Sequence, residues 1–174
     1  MELAELLRSL EQSKHAPTER WDPPYCGTIP IAIDEQGRWL YQNTLIQRPA
    51  LVQLFASVLV REAEDYFLVT PAEKVKITVA DVPFVVVTWH YIHEQGTPVI
   101  QVTTNIGQQF GLSRAHPLLM KQDIPYVDCG RDLWAKVHRN VFYQWSEIAQ
   151  VEPSPIGERY FIESAGGKFY LASA

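Results

Sequence analysis

His90 and His93 lie three residues apart. On a helix that spacing would place two imidazoles on one face, where they could hold a metal ion. The surrounding run, Phe84 to His93, reads as a strand, and there an odd spacing sends the two rings to opposite faces. An ordinary, partly exposed pair near a turn is the favoured reading, and no metal or cofactor is assigned. Thr70-Pro71-Ala72-Glu73-Lys74 brings a hydroxyl, a carboxylate and an ammonium into one turn, where Glu73 could act as a base and Lys74 could hold an anion. The competing reading, a bend set by Pro71 with solvated charges, is favoured.

His116-Pro117 lies in an aperiodic stretch with Asn105 and Arg114, a set that could read a polar ligand through imidazole, amide and guanidinium groups. A histidine bonded to a nearby carbonyl is the plainer alternative. Arg48 and Arg139 occupy matching places before two expected helices, and Arg131 repeats Arg38 beside paired Gly-Arg steps. Helix starts offer unpaired amide donors, so such arginines could hold a phosphate or carboxylate. Structural pairing with a carboxylate or carbonyl is slightly preferred. No Gly-x-Gly-x-x-Gly or Gly-Lys-Ser/Thr sequence occurs, so the standard phosphate cradles are absent.

The composition sets the bounds on these readings. The 174 residues suit one domain or two small ones, and 47% hydrophobic against 20% charged residues is an ordinary globular balance. The net charge of −5, without blocks of one sign, argues against general nucleic-acid binding. No apolar run approaches the roughly 20 residues of a membrane helix, and the acidic start does not resemble a secretory signal, so a cytoplasmic protein without membrane insertion is expected. Two cysteines, Cys26 and Cys129, cannot make a disulfide scaffold and are read as free thiols.

The elements that must position these residues follow from periodicity. Leu3, Leu6, Leu7 and Leu10 predict an opening helix over residues 2–12, followed by a connector over 13–25. Ile29, Ile31 and Ile33 alternate into a strand that Pro30 would place at a sheet edge, paired with residues 38–42. Pro49 suits the first position of a helix with a stripe at Leu51, Leu54, Phe55, Val58 and Leu59. A hairpin follows, Tyr66 to Thr70 and Lys74 to Val79, and then another, Phe84 to His93 and Val99 to Thr104, whose first strand should be central. Residues 105–124 read as a long loop. Strands near Tyr126-Val127 and Leu133 to Val137 lead to a helix capped by Asn140, with a stripe through Val141, Phe142, Trp145 and Ile148. A last hairpin turns at Gly166-Gly167. The five tryptophans read as packing rather than a stacking platform.

Residues 37–77 have an echo at 130–171. Gly-Arg steps, a helix, Tyr66-Phe67-Leu68 against Tyr160-Phe161-Ile162, and Lys74-Val75 against Lys168-Phe169 recur in order. Short hairpins with few helices imply an α+β fold with mostly antiparallel sheets and a duplicated hairpin-helix-hairpin unit. The division expected is an N-terminal subdomain over residues 1–80 and a C-terminal one over 81–174.

The run Tyr66 to Val75, Cys26-Gly27, His116-Pro117-Leu118, Pro125-Tyr126-Val127, Arg131-Asp132-Leu133 and Arg139-Asn140-Val141-Phe142-Tyr143 resembles the bacterial family of unknown function DUF1285. The resemblance covers about Cys26 to Tyr143. It implies a duplicated core, a C-terminal half like a pleckstrin-homology fold, a ligand site between the subdomains for a nucleotide-like molecule, and a role in bacterial signal transduction. The motif residues carried over are Glu73, Lys74, Asn105, His116, Arg131, Arg139 and Tyr143, none with an assigned role. With Arg48 they form the candidate ligand-binding set, and no catalytic residue is assigned. The leading expectation is a sensory module that binds an anionic small molecule. The alternatives are a hydrolase or transferase with Glu73 or His116 as general base, and a protein-interaction domain; a homodimer or a protein partner stays open.

Overall fold

The computed structural model describes residues 16–172; the helix expected over residues 2–12 lies outside them. A 3-10 turn at Thr18–Arg20 interrupts the stretch read as a connector. The chain forms two compact units, one running to Asp81 and the other starting at Val82.

The first unit contains β1 (Tyr25–Ile33), β2 (Trp39–Tyr41), β3 (Thr44–Leu45), α1 (Pro49–Ser57), β4 (Leu59–Glu62), β5 (Asp65–Val69) and β6 (Lys74–Val79). Two antiparallel meanders, β1 to β3 and β4 to β6, join into one six-stranded sheet because β1 and β6 pair in parallel. Pro30 therefore does not mark an edge, since β1 lies between β2 and β6. The parallel register skips from Thr28 to Ala32, so the missing N–H falls in an irregularity, while the Pro30 carbonyl accepts from Gln42 N at 2.9 Å.

Ile29, Ile31 and Ile33 are buried on one face of β1, as their alternation requires. Pro49 opens α1, where its missing donor costs nothing. The helix buries Phe55 and Ala56 and stacks Phe55 on Trp39 with centroids 6.1 Å apart. Covering an aromatic side chain this fully contributes roughly 1.5–3 kcal/mol. The helix stops at Ser57, short of the apolar stripe read from sequence, because Val58 caps it and Leu59 already begins β4.

The second unit contains β7 (Phe84–Glu94), β8 (Thr97–Thr104), β9 (Gln109–Gly111), β10 (Leu118–Lys121), β11 (Ile124–Asp128), β12 (Trp134–Val137), α2 (Arg139–Ile148), β13 (Gln150–Ser154), β14 (Gly157–Ser164) and β15 (Gly167–Tyr170). Its six-stranded sheet repeats the topology of the first: two antiparallel meanders, β7 to β9 and β10 to β12, joined by the parallel pair β7 and β12. Both units are thus α+β with mixed, mostly antiparallel sheets. The expected long loop over residues 105–124 holds β9, β10 and the start of β11. Its hairpin turns at Gln122-Asp123, both at positive φ without a glycine to mark the turn.

The cap of α2 is His138 rather than Asn140, with His138 Nδ1 accepting from Asn140 N at 3.1 Å. Trp145 is fully buried and meets Trp89 of β7 edge-to-face at 6.4 Å, while Trp89 Nε1 donates to Gln144 Oε1 at 2.8 Å. After α2 the chain adds a third meander, β13 to β15, as a separate three-stranded sheet. Buried Ser164 ties that sheet to the larger one: its Oγ donates to Leu112 O at 2.6 Å and accepts from Ile100 N at 2.8 Å.

The echo read from sequence is this last segment set against α1 and β4 to β6. Phe67 is opposite Val60 and Lys76, and Phe161 is opposite Gln150 and Tyr170. Aligned on those phenylalanines, Glu62 matches Glu152 and Lys74 matches Lys168. The contacts match too. Lys74 lies 4.4 Å from the Phe67 centroid and bonds Glu62 at 2.6 Å; Lys168 lies 4.6 Å from the Phe161 centroid and bonds Glu152 at 2.7 Å. Buried Phe55 and Trp145 match in the two helices, which sets Arg48, the N-cap of α1, against His138 and not against Arg139. The Gly-Arg steps do not share a setting: Arg38 leads into β2, in the middle of its meander, whereas Arg131 is in a left-handed turn before β12.

Candidate functional site

Of the residues singled out by sequence, Arg48, Glu73 and Lys74 are in the first unit. The Arg48 carbonyl accepts from Leu51 and Val52 N at the start of α1, and its side chain is exposed without capping the helix. Glu73 closes a turn in which Thr70 Oγ1 accepts from Ala72 and Glu73 N. Lys74 is held by both oxygens of Glu62 and by the Phe67 face, so its charge is already matched.

The other five are in the second unit. Asn105 brackets Val85, accepting from its N–H through Oδ1 at 3.1 Å and donating its own N–H to the Val85 carbonyl at 2.8 Å. His116 packs beside Phe110 at 4.9 Å, and its Nδ1–H donates to Asp128 O at 2.9 Å, leaving Nε2 as its remaining ring nitrogen. Its Cε1 lies 4.0 Å from where a Cβ on Gly130 would stand, so His116 and the turn carrying Arg131 share one corner. Arg131 itself has φ 55° beside Asp132 at 60°, and the turn is closed by Leu133 N donating to Gly130 O. Arg139 and Tyr143, one helical turn apart on α2, are exposed. Among the described residues, no group of three or more His, Cys, Asp or Glu side chains is arranged to hold a metal ion.

None of the eight lines the groove that the second unit does form. That groove encloses about 700 Å³ between β10 and the β13 to β15 meander. Leu119 and Met120 line it on one side; Ile156, Arg159, Tyr160 and Lys168 line it on the other. The volume falls in the range of small-molecule sites. A second concavity of about 590 Å³, lined by Glu94, Gln95, Thr97, Val99 and Ala165, offers an anion no cation.

The chemistry of the groove lies in the charges on one face of the meander. Glu152 accepts from Lys168 Nζ at 2.7 Å and from Tyr170 Oη at 2.7 Å. The Lys168 bond, followed by the Tyr170 bond, holds the Glu152 carboxyl below its ordinary range. The same two bonds hold the Lys168 ammonium and the Tyr170 phenol above theirs. Arg159 lies 3.6 Å over the Tyr170 ring. In the first unit the matching positions are Asp65 and Lys76, an ion pair at 3.1 Å. Where the first unit has a direct ion pair, the second carries a guanidinium stacked on an aromatic ring, opposite Glu152 in the strand register and beside a cavity. The matching positions can be read from the sequence once both strand registers are known, but the looser echo did not supply them.

Residues 16–82 match the N-terminal domain of DUF1285, described as a domain of unknown function, and residues 83–171 match its C-terminal domain. The chain belongs to the DUF1285 family. A DUF1285 family protein from Silicibacter pomeroyi DSS-3, solved as a crystal structure, is 36% identical, with a TM-score of 0.83 over 95% of this chain and 93% of that one. One from Shewanella baltica OS155 is 28% identical, with a TM-score of 0.58 over 68% of this chain and 91% of that one. No curated protein matches the chain. Among the described residues, no helix of this DUF1285 protein is long and apolar enough to cross a membrane.

Proposed function

We propose that this protein is a non-catalytic module that binds an anionic small molecule in the groove of its C-terminal unit and serves in signal transduction. The observation that carries the reading is Arg159 on the Tyr170 ring, where the first unit has the neutral pair Asp65 and Lys76. A guanidinium stacked on an aromatic face keeps its N–H edges available to oxygen acceptors and is suited to carboxylate or phosphate. Lys168 adds a second cation, held in place by Glu152. The hydrolase alternative asks Glu73 or His116 to serve as a base at a concave surface, and neither lines the groove. Two free cysteines, Cys26 and Cys129, support a cytoplasmic location.

The test is thermal unfolding of the full chain with a panel of phosphates, nucleotides and carboxylates. A ligand at 100 times its dissociation constant adds about 2.7 kcal/mol of stability. At least one anion should raise the melting temperature of the wild type and leave Arg159→Gln unmoved. No shift with any anion contradicts the reading.

A further inference from the structure

The two walls of the groove differ in kind. One is apolar and comes from β10, with Pro117, Leu118, Leu119 and Met120; Ile156 at the tip of the β13–β14 hairpin adds to it. Leu119 is 51% exposed and Ile156 88% exposed, so two aliphatic side chains face water beside the cavity. The other wall carries Arg159, stacked on Tyr170, and Lys168. Lys168 is matched to Glu152 at 2.7 Å, Glu152 also faces Arg159 across the strand pair, and the Glu158 carboxylate that lines the groove accepts from Tyr160 Oη at 3.3 Å; Arg159, whose stacked guanidinium keeps its N–H edges open, is the cation left to take a ligand's charge.

From this division we infer that the groove takes an amphiphilic anion, a carboxylate with an aliphatic tail, its head on Arg159 and its tail along Leu119 and Ile156. The inference rests on the anion-binding reading above and adds the tail. The guanidinium offers a carboxylate two parallel N–H donors, and the Tyr170 ring beneath it shields that bond from water. The tail would cover the aliphatic side chains that the fold leaves exposed. Each added methylene that becomes buried tightens binding by about threefold to fourfold, so affinity should climb with chain length until the groove is full. A compact anion such as inorganic phosphate has nothing to place against that wall.

Titration calorimetry of the full chain with hexanoate, octanoate and decanoate, and with inorganic phosphate, AMP and decyltrimethylammonium, tests this. Decanoate should bind about tenfold more tightly than octanoate and also more tightly than phosphate or AMP. Arg159→Gln should weaken decanoate by about tenfold or more. Leu119→Asn, a substitution at an exposed position, should flatten the dependence on chain length, and Arg20→Ala, at an exposed arginine of the first unit, should change nothing. Phosphate or AMP binding through Arg159 with no gain along the carboxylate series overturns the tail and leaves the anion reading standing. Decyltrimethylammonium binding as tightly as decanoate overturns the inference by showing detergent-like adsorption. Absence of binding by every anion removes both.

Discussion

The Arg159 guanidinium lies 3.6 Å over the Tyr170 ring, at the two positions where the first meander of matching register pairs Asp65 with Lys76 at 3.1 Å. Around both pairs the frame is the same: a glutamate, Glu62 or Glu152, holds a lysine, Lys74 or Lys168, over a phenylalanine, Phe67 or Phe161. The two meanders thus share one frame and differ at one pair.

That difference can be tested by grafting. Arg159→Asp combined with Tyr170→Lys rebuilds the first unit's pair in the second. Arg159 is exposed, whereas Tyr170 is half-buried, bonds Glu152 and meets Phe161 edge-on, so the exchange gives up one hydrogen bond and one ring contact and the melting temperature should fall by less than roughly 8 °C, while stabilisation by anions should disappear. A collapse in melting temperature would contradict the equivalence of the two meanders, and a retained anion response would contradict the role of Arg159.

Ser164 is the buried joint between the three-stranded sheet and the rest of its unit. Ser164→Ala leaves the Ile100 N–H and the Leu112 carbonyl without that partner, and should cost about 1–3 kcal/mol in urea denaturation. A loss below about 0.5 kcal/mol would show that the joint is replaceable.

The pH dependence follows from the Glu152 network. Its lowered carboxyl contributes stability that is present above the ordinary glutamate range and is lost as the pH falls through the lowered folded value. Lys168 and Tyr170 are raised, so their contribution is present below their ordinary values and is lost as the pH rises through the raised ones. Melting temperatures of wild type and Glu152→Gln, followed against pH, should differ most near neutrality and converge in strong acid and strong alkali. A gap that persists unchanged into acid would exclude this assignment.

The two cysteines should react differently. Cys26 is exposed, whereas burial, aided by the Asp128 charge, pushes the Cys129 thiol up to about 12. Because the thiolate is the nucleophile, iodoacetamide at neutral pH should alkylate Cys26 and spare Cys129 in the folded protein. Peptide mass mapping decides this, and equal labelling of both would contradict it.

Much of the fold was legible in the sequence because its signals are local. The alternating isoleucines of β1, Pro49 at the start of α1, and the glycine of the last hairpin, expected to turn at Gly166-Gly167 and turning one residue earlier at Ala165-Gly166, each act over a few residues. The strands that were missed are β3, β4, β9, β10 and β13, and two of their connections, Gln42-Asn43 and Gln122-Asp123, are tight turns that reach positive φ without glycine. The parallel pairs β1 with β6 and β7 with β12 join strands distant in sequence, and no short-range pattern encodes them. The site was less legible. Histidine and arginine near motifs drew the sequence reading to His116, Arg48 and Arg139, whereas the proposed role of Arg159 rests on its contrast with Asp65 at the matching position, which only the paired registers show.

The most direct test of the central claim is an amide NMR titration of the full chain with decanoate. Shifts should concentrate in Leu118 to Met120, Ser154 to Tyr160 and Lys168 to Tyr170, saturate with the affinity found by calorimetry, and vanish in Arg159→Gln. Saturable shifts centred instead on Arg48 or Arg139, or no saturable shift at all, would contradict the account.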